Sequence, residues 1–137
     1  MADKQKILLI DPSTIFRRTL KEVIETSESF VEVAEAGTSA QARSIIGKSV
    51  PDVVFVDIAL PRNNGIDFIA SIKQMAPDAR IVVLTSHDSK EHEEASLESG
   101  ADFFLSKERS GGLRLLDVIQ STIRSATDRM ESKKGTR

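Results

Sequence analysis

Val53-Val54-Phe55-Val56-Asp57, running on into Ile58-Ala59-Leu60-Pro61-Arg62-Asn63-Asn64-Gly65, is the stretch on which the fold turns. Four consecutive apolar residues, three of them valine, sit between turn-forming segments. A short run of this kind, without apolar–polar alternation, reads as a strand covered on both faces. Asp57 closes the run. A carboxylate at the carboxyl end of a buried strand stands where open α/β sheets bind their ligands, and it adds nothing to the core.

Three further apolar runs match it: Ile7-Leu8-Leu9-Ile10, Ile81-Val82-Val83-Leu84 and Phe103-Phe104-Leu105. Val31-Glu32-Val33-Ala34 alternates instead, which places it at a sheet edge. Helical patterns separate the runs. Phe16, Leu20, Val23 and Ile24 form one face after Ser13. Thr38 with Gln41 has the form of a capping box, ahead of Ala42, Ile45 and Ile46. Ile66, Ile69 and Ile72 follow Gly65, and Pro77 lies just past their helix. A fourth helix is expected to begin near Asp88 and stop at Gly100. The last carries Leu113, Leu116, Ile119, Ile123, Ala126 and Met130. Five strand–helix pairs in alternation imply right-handed crossovers and a parallel sheet with helices on both faces. Residues 1–130 form one domain in this reading. Residues 131–137 are polar and aperiodic and read as a frayed tail.

Composition narrows the functional classes. At 137 residues the chain matches a single domain. It has no cysteine, which excludes a disulfide framework and a thiolate metal site. Nineteen Lys and Arg against 21 Asp and Glu give a net charge of −2 and no basic footprint for nucleic acid or an anionic membrane. No stretch approaches the roughly 18 apolar residues of a membrane span. The amino-terminal residues lack the apolar core of a signal peptide. The expectation is a cytoplasmic protein that binds neither nucleic acid nor membrane directly.

In a parallel sheet, the residues that follow the apolar runs gather on one edge. They are Asp11, Asp57, Thr85-Ser86 and Ser106-Lys107. Two carboxylates, a hydroxyl and an ammonium suit an oxygen-ligated divalent cation together with a phosphoryl group.

In order and spacing, these pieces resemble a response-regulator receiver domain over about residues 5–127. They are Ile7-Leu8-Leu9-Ile10-Asp11; Pro51 to Asp57 with Leu60-Pro61 and Gly65 behind; Val82-Val83-Leu84-Thr85-Ser86; and Gly100 to Lys107. The resemblance implies a flavodoxin-like (βα)5 sheet in strand order 2-1-3-4-5. It makes Asp57 the phosphoacceptor, served by a sensor histidine kinase or phosphotransfer protein, with Lys107 and Thr85 on the phosphoryl group. It assigns Mg²⁺ to Asp11, Asp57 and the backbone carbonyl of Ala59. Thr85 and Phe104 fall at the switch positions. The implied output is a changed affinity for a downstream protein partner or a second copy, expressed through the face of the fourth helix, fifth strand and fifth helix. Such a domain accepts a phosphoryl group and can lose it again, but is not an enzyme in the ordinary sense.

The chain departs from the family pattern at Pro12. The family pairs two acids after its first strand, and proline offers neither a side-chain oxygen nor an N–H. One carboxylate fewer weakens Mg²⁺ binding. Glu108 stands where the family often has proline, and a trans bond is expected before it. Other readings remain for single residues. Asp11 can cap the first helix, Phe104 can be plain core, and His87 and His92, five apart, read as solvated residues and not as a metal pair. At the level of function, the rival is a receiver that no longer takes phosphate and acts as a constitutive protein-binding module. A flavodoxin needs a phosphate loop that Asp11 to Ile15, lacking glycine, does not supply. A haloacid-dehalogenase-type phosphatase needs an acid two residues past its nucleophile, where Ser13 and Ala59 stand.

Overall fold

Strand residues of this chain divide by parity between two apolar layers, and that division builds the fold. The structure is a computed structural model describing residues 4–61, 65–108 and 112–135. β1 (Gln5–Ile10), β2 (Val31–Ala36), β3 (Val53–Val56), β4 (Arg80–Thr85) and β5 (Phe103–Ser106) form one parallel sheet in the order β2-β1-β3-β4-β5. Ile7, Leu9, Val53, Phe55, Val82 and Leu84 face one layer. Leu8, Ile10, Val54, Val56, Ile81 and Val83 face the other. The central strands therefore show no alternation: both faces are dry.

Helices α1 (Thr14–Ser27) and α5 (Gly112–Gly135) cover the first face with Leu20, Ile24, Ile119, Ile123 and Ala126. Helices α2 (Ser39–Lys48), α3 (Gly65–Met75) and α4 (Lys90–Glu98) lie on the other side, where α2 and α3 contribute Ala42, Ile46, Phe68, Ile69 and Ile72 to the core. β2 lies at an edge with a mixed burial pattern, as its alternating sequence implies. Val23, placed on the inward face by periodicity, lies at its rim and is exposed. Phe68, not singled out by the sequence reading, is buried beside Ile69.

Helix ends follow local chemistry. Ser13 caps α1 by accepting from Phe16 N–H. Thr38 caps α2 by accepting from Gln41 N–H, and the Gln41 side chain returns to Gly37 N–H, one residue before the cap. The cap of α4 is Ser89, which accepts from His92 N–H. Asp88, the expected start, instead accepts a hydrogen bond from Ser106 Oγ at 2.6 Å. Ser89 wins because its hydroxyl can also meet His92 Nδ1, at 2.7 Å. Gly100, at φ +120°, ends that turn in a conformation that side chains resist. α5 continues to Gly135, so 131–135 is helical where a frayed tail was expected. Glu131, Lys133 and Lys134 are good helix formers, which explains the extension. Among the described residues no helix is long and apolar enough to cross a membrane.

Candidate functional site at the carboxyl ends of the strands

Adjacent strands β1 and β3 send their chains to opposite faces of the sheet, into α1 and α3. The crevice between their carboxyl ends is the topological switch point of a doubly wound sheet. Backbone hydrogen bonds carry the ladder one residue past the strands and set the site. Asp11 N–H donates to Ala36 O at 3.0 Å, Asp57 N–H to Ile10 O at 2.9 Å and Lys107 N–H to Thr85 O at 2.9 Å. Asp11 and Asp57 thereby emerge side by side, and Lys107 emerges two strands from Asp57 with the end of β4 between them. Behind Asp57 the chain doubles back so closely that a Cβ on Gly65 would overlap the backbone of Ile58. Only glycine fits there.

The side chains meet at bonding distance. Lys107 Nζ donates to Asp11 Oδ2 at 2.6 Å and to Asp57 Oδ2 at 3.0 Å. Thr85 Oγ1 donates to Asp57 Oδ1 at 2.7 Å, and Ala59 N–H donates to the same oxygen at 2.9 Å. Thr85 Oγ1 in turn accepts from His87 N–H at 3.1 Å. Asp11 Oδ1 accepts from Ser13 N–H at 2.8 Å, an Asx turn across Pro12. Asp11 is therefore not the helix cap: it shapes the loop that delivers Ser13 to that role. Asp11 is 5% exposed, Asp57 6% and Thr85 fully buried. A buried charge persists only when paired, and here two carboxylates share one ammonium. Burial alone would lower the Lys107 pKa. Hydrogen bonds to Asp11 and Asp57, and the charges of both, outweigh that and raise it above its ordinary value of 10.5.

Thus Asp11, Asp57, Thr85, Lys107 and the Ala59 peptide form one cluster. Phe104 does not join it. Its backbone pairs with Val83, and its half-buried ring packs on the core layer of Val83 and Ala101, on the sheet face that Thr85 shares. The His87 and His92 rings stand edge to face, 5.9 Å apart. The Lys107–Glu108 bond is trans.

Two neighbours escaped the sequence reading. Phe16 had been assigned to the core face of α1, yet its ring centre lies 4.0 Å from Lys107 Nζ. Arg17 donates through Nη1 to Asp11 O at 2.6 Å and pairs through Nε with Glu35 at 3.2 Å. No local sequence signal marks either contact. Each depends on how α1 docks beside β1 and β2.

The donor chemistry suits a hard cation. Asp57 Oδ1 already takes two hydrogen bonds, whereas Asp57 Oδ2 and both oxygens of Asp11 take one from the donors named above and keep a second acceptor position. Carboxylate oxygens are the kind of donor Mg²⁺ takes when it keeps several waters. Pro12 adds none. Among the described residues no three His, Cys, Asp or Glu side chains cluster as a metal cage.

Five parallel strands in the order β2-β1-β3-β4-β5 with helices on both faces make a flavodoxin-like, chemotaxis-regulator-like fold. Residues 7–120 match the family model for the response regulator receiver domain, and the chain belongs to that family. It is 32% identical over 108 residues to the nitrate/nitrite response regulator protein homolog of Haemophilus influenzae, covering 79% of this chain and 52% of that one. The chain thus spans about half the length of that relative. Two solved structures share the fold. A response regulator receiver domain protein from Methanospirillum hungatei aligns with a TM-score of 0.81 at 22% identity, covering 93% of this chain and 99% of that one. A response regulator protein from Burkholderia pseudomallei, with a phosphorylated aspartic acid, calcium ion and citrate, aligns at 0.77 and 24% identity, covering 96% and 73%.

Proposed function

We propose that the chain is a phosphoacceptor receiver in which Asp57 takes a phosphoryl group from a histidine kinase or phosphotransfer protein. The observation that carries this reading is the environment of Asp57. Its carboxylate is buried at the switch point, fixed by Thr85 and the Ala59 N–H on one oxygen and by Lys107 on the other. A carboxylate oxygen attacks phosphorus, the bond from phosphorus to the donor nitrogen breaks, and an acyl phosphate results. Lys107 is placed to bind the new phosphoryl oxygens as a fixed donor, and Thr85 is placed to turn toward them. Asp11, Asp57 and the Ala59 carbonyl would hold Mg²⁺. When bound, that cation supplies charge neutralisation to the transferring group.

The product replaces a single negative charge with a group near −2 and several acceptor oxygens. Thr85, already bonded to Asp57, follows that change. Phe104, on the same sheet face, transmits it to the surface of α4, β5 and α5, where affinity for a downstream protein or a second copy shifts. Other members of the fold support the reading, one of them carrying a phosphorylated aspartic acid and calcium.

The test is intact mass after incubation with Mg²⁺ and acetyl phosphate, beside Asp57→Asn. A phosphoryl adduct on the parent protein and none on the variant is expected. A folded parent protein without adduct, over a wide range of Mg²⁺ and donor, would turn the reading to a phosphorylation-independent binding module.

A further inference from the structure

We infer that Phe16 is a positioning residue for Lys107: its ring face holds the ammonium over the Asp11–Asp57 pair and keeps water off the α1 side of the site. An ammonium has three N–H donors. Two are taken by Asp11 and Asp57, at 2.6 and 3.0 Å. The ring centre of Phe16 stands 4.0 Å from Nζ, within the range of a cation–π contact. The ring therefore occupies the place where a solvated lysine would keep a water. Only 14% of the Lys107 side chain remains exposed.

Phe16 is held where it is by the same loop that holds Asp11. Ser13 joins Asp11 to the first turn of α1 by donating to its carboxylate and accepting from Phe16 N–H. The next residue, Arg17, ties that turn to the Asp11 carbonyl and to Glu35. Pro12 stiffens the connection further by fixing its own φ. Against Phe16 lies a partly open space of about 10 Å³, bounded also by Asp11, Leu20, Phe55 and Asp57. That is room for one water at most. A smaller side chain at this position would widen it beside both carboxylates.

The hold on Lys107 stands by itself. Its chemical consequence rests on Asp57 being the phosphoacceptor. In hydrolysis of the acyl phosphate, a water oxygen bonds to phosphorus as the bond to the Asp57 oxygen breaks. Protons released from the water pass to phosphate and solvent, leaving carboxylate and inorganic phosphate. A ring that excludes water and fixes the lysine lengthens the life of the acyl phosphate.

The decisive variant is Phe16→Leu, which keeps apolar bulk and removes the π face. NMR of the unphosphorylated protein labelled with ¹⁵N and ¹³C at lysine reads the hold directly. In the parent protein the Lys107 Hε and Hζ resonances should show a ring-current shift and slow Hζ exchange. In Phe16→Leu the shift should vanish and exchange should quicken about three- to tenfold. An unchanged Lys107 spectrum would overturn the inference. Phe16→Tyr, which keeps the ring, should restore the parent spectrum. The second readout is the lifetime of the acyl phosphate, expected to fall about three- to tenfold in Phe16→Leu and to recover in Phe16→Tyr. A changed spectrum with an unchanged lifetime would overturn the shielding role. Failure of every form to take phosphate would instead overturn the reading of Asp57, with the spectrum still deciding the role of Phe16.

Discussion

Asp52 and Asp102 stand where strands of this sheet begin, and Asp11 and Asp57 where strands end; the two pairs are used in different ways. At the amino edge each carboxylate completes a backbone ladder. Asp52 accepts from Lys6 N–H at 2.8 Å and returns its own N–H to Lys6 O, also at 2.8 Å. Asp102 does the same with Ile81, at 2.8 and 2.7 Å. Both acids are half-buried, so water reaches them; Asp52 bonds Lys6, and Asp102 adds to Ile81 an ion pair with Arg80 at 3.9 Å. At the carboxyl edge both acids are buried and share a single ammonium. Two negative charges against one positive leave that cluster short of a cation. The same side chain is thus a structural acceptor at one edge and a chemical group at the other, and burial with a shared counter-ion makes the difference.

The comparison breaks most visibly at Lys107. Lys107→Met leaves two buried carboxylates face to face without their cation. It should cost about 3 kcal/mol at neutral pH, read by urea unfolding in chelator-containing buffer. The pH dependence has a definite sign. The folded-state pKa of Lys107 is raised, so its stabilising contribution is fully present below 10.5 and is lost as pH climbs through the raised value. The stability gap between the parent protein and Lys107→Met should therefore be wide at neutral pH and close only in that alkaline window. A gap that stays constant into strong alkali would show that the ion pairs do not carry it.

At the other edge the effect should be smaller and purely structural. Asp52→Ala or Asp102→Ala each leaves one strand-edge N–H to water, and Asp102→Ala also releases Arg80 from its weak ion pair; each should cost about 1 kcal/mol. Acceptance of phosphate from acetyl phosphate should be untouched. A loss of acceptance in a folded Asp102→Ala protein would mean that the two edges are coupled.

The carboxyl-edge half of this contrast was visible in the sequence, for a physical reason, while Asp52 and Asp102 were not singled out there. An apolar run that ends in an acid fixes both a strand and the edge its last residue reaches. Asp11, Asp57 and Lys107 were therefore legible although Asp11 and Lys107 lie 96 positions apart. Legibility stopped where a contact depends on helix docking or rotamer choice. Phe16 has the periodicity of a core residue, and nothing local says that its ring meets an ammonium. Asp88 and Ser89 are both good caps, and the choice fell to a serine that can also bond His92. The expected end of α5 at residue 130 assumed that a polar stretch frays, whereas the helix runs to Gly135. Pro12, which removes an expected carboxylate, was legible as a departure. Its consequence, an Asx turn that seats Asp11 under Lys107, was not.

The most direct test is chemical trapping of the acyl group. After treatment with Mg²⁺ and acetyl phosphate, borohydride reduces an aspartyl phosphate to homoserine, and peptide mapping locates the converted residue. The account predicts conversion at Asp57, with Asp11, Asp52 and Asp102 intact. Conversion at another aspartate, or none in a protein shown to be folded, would contradict it.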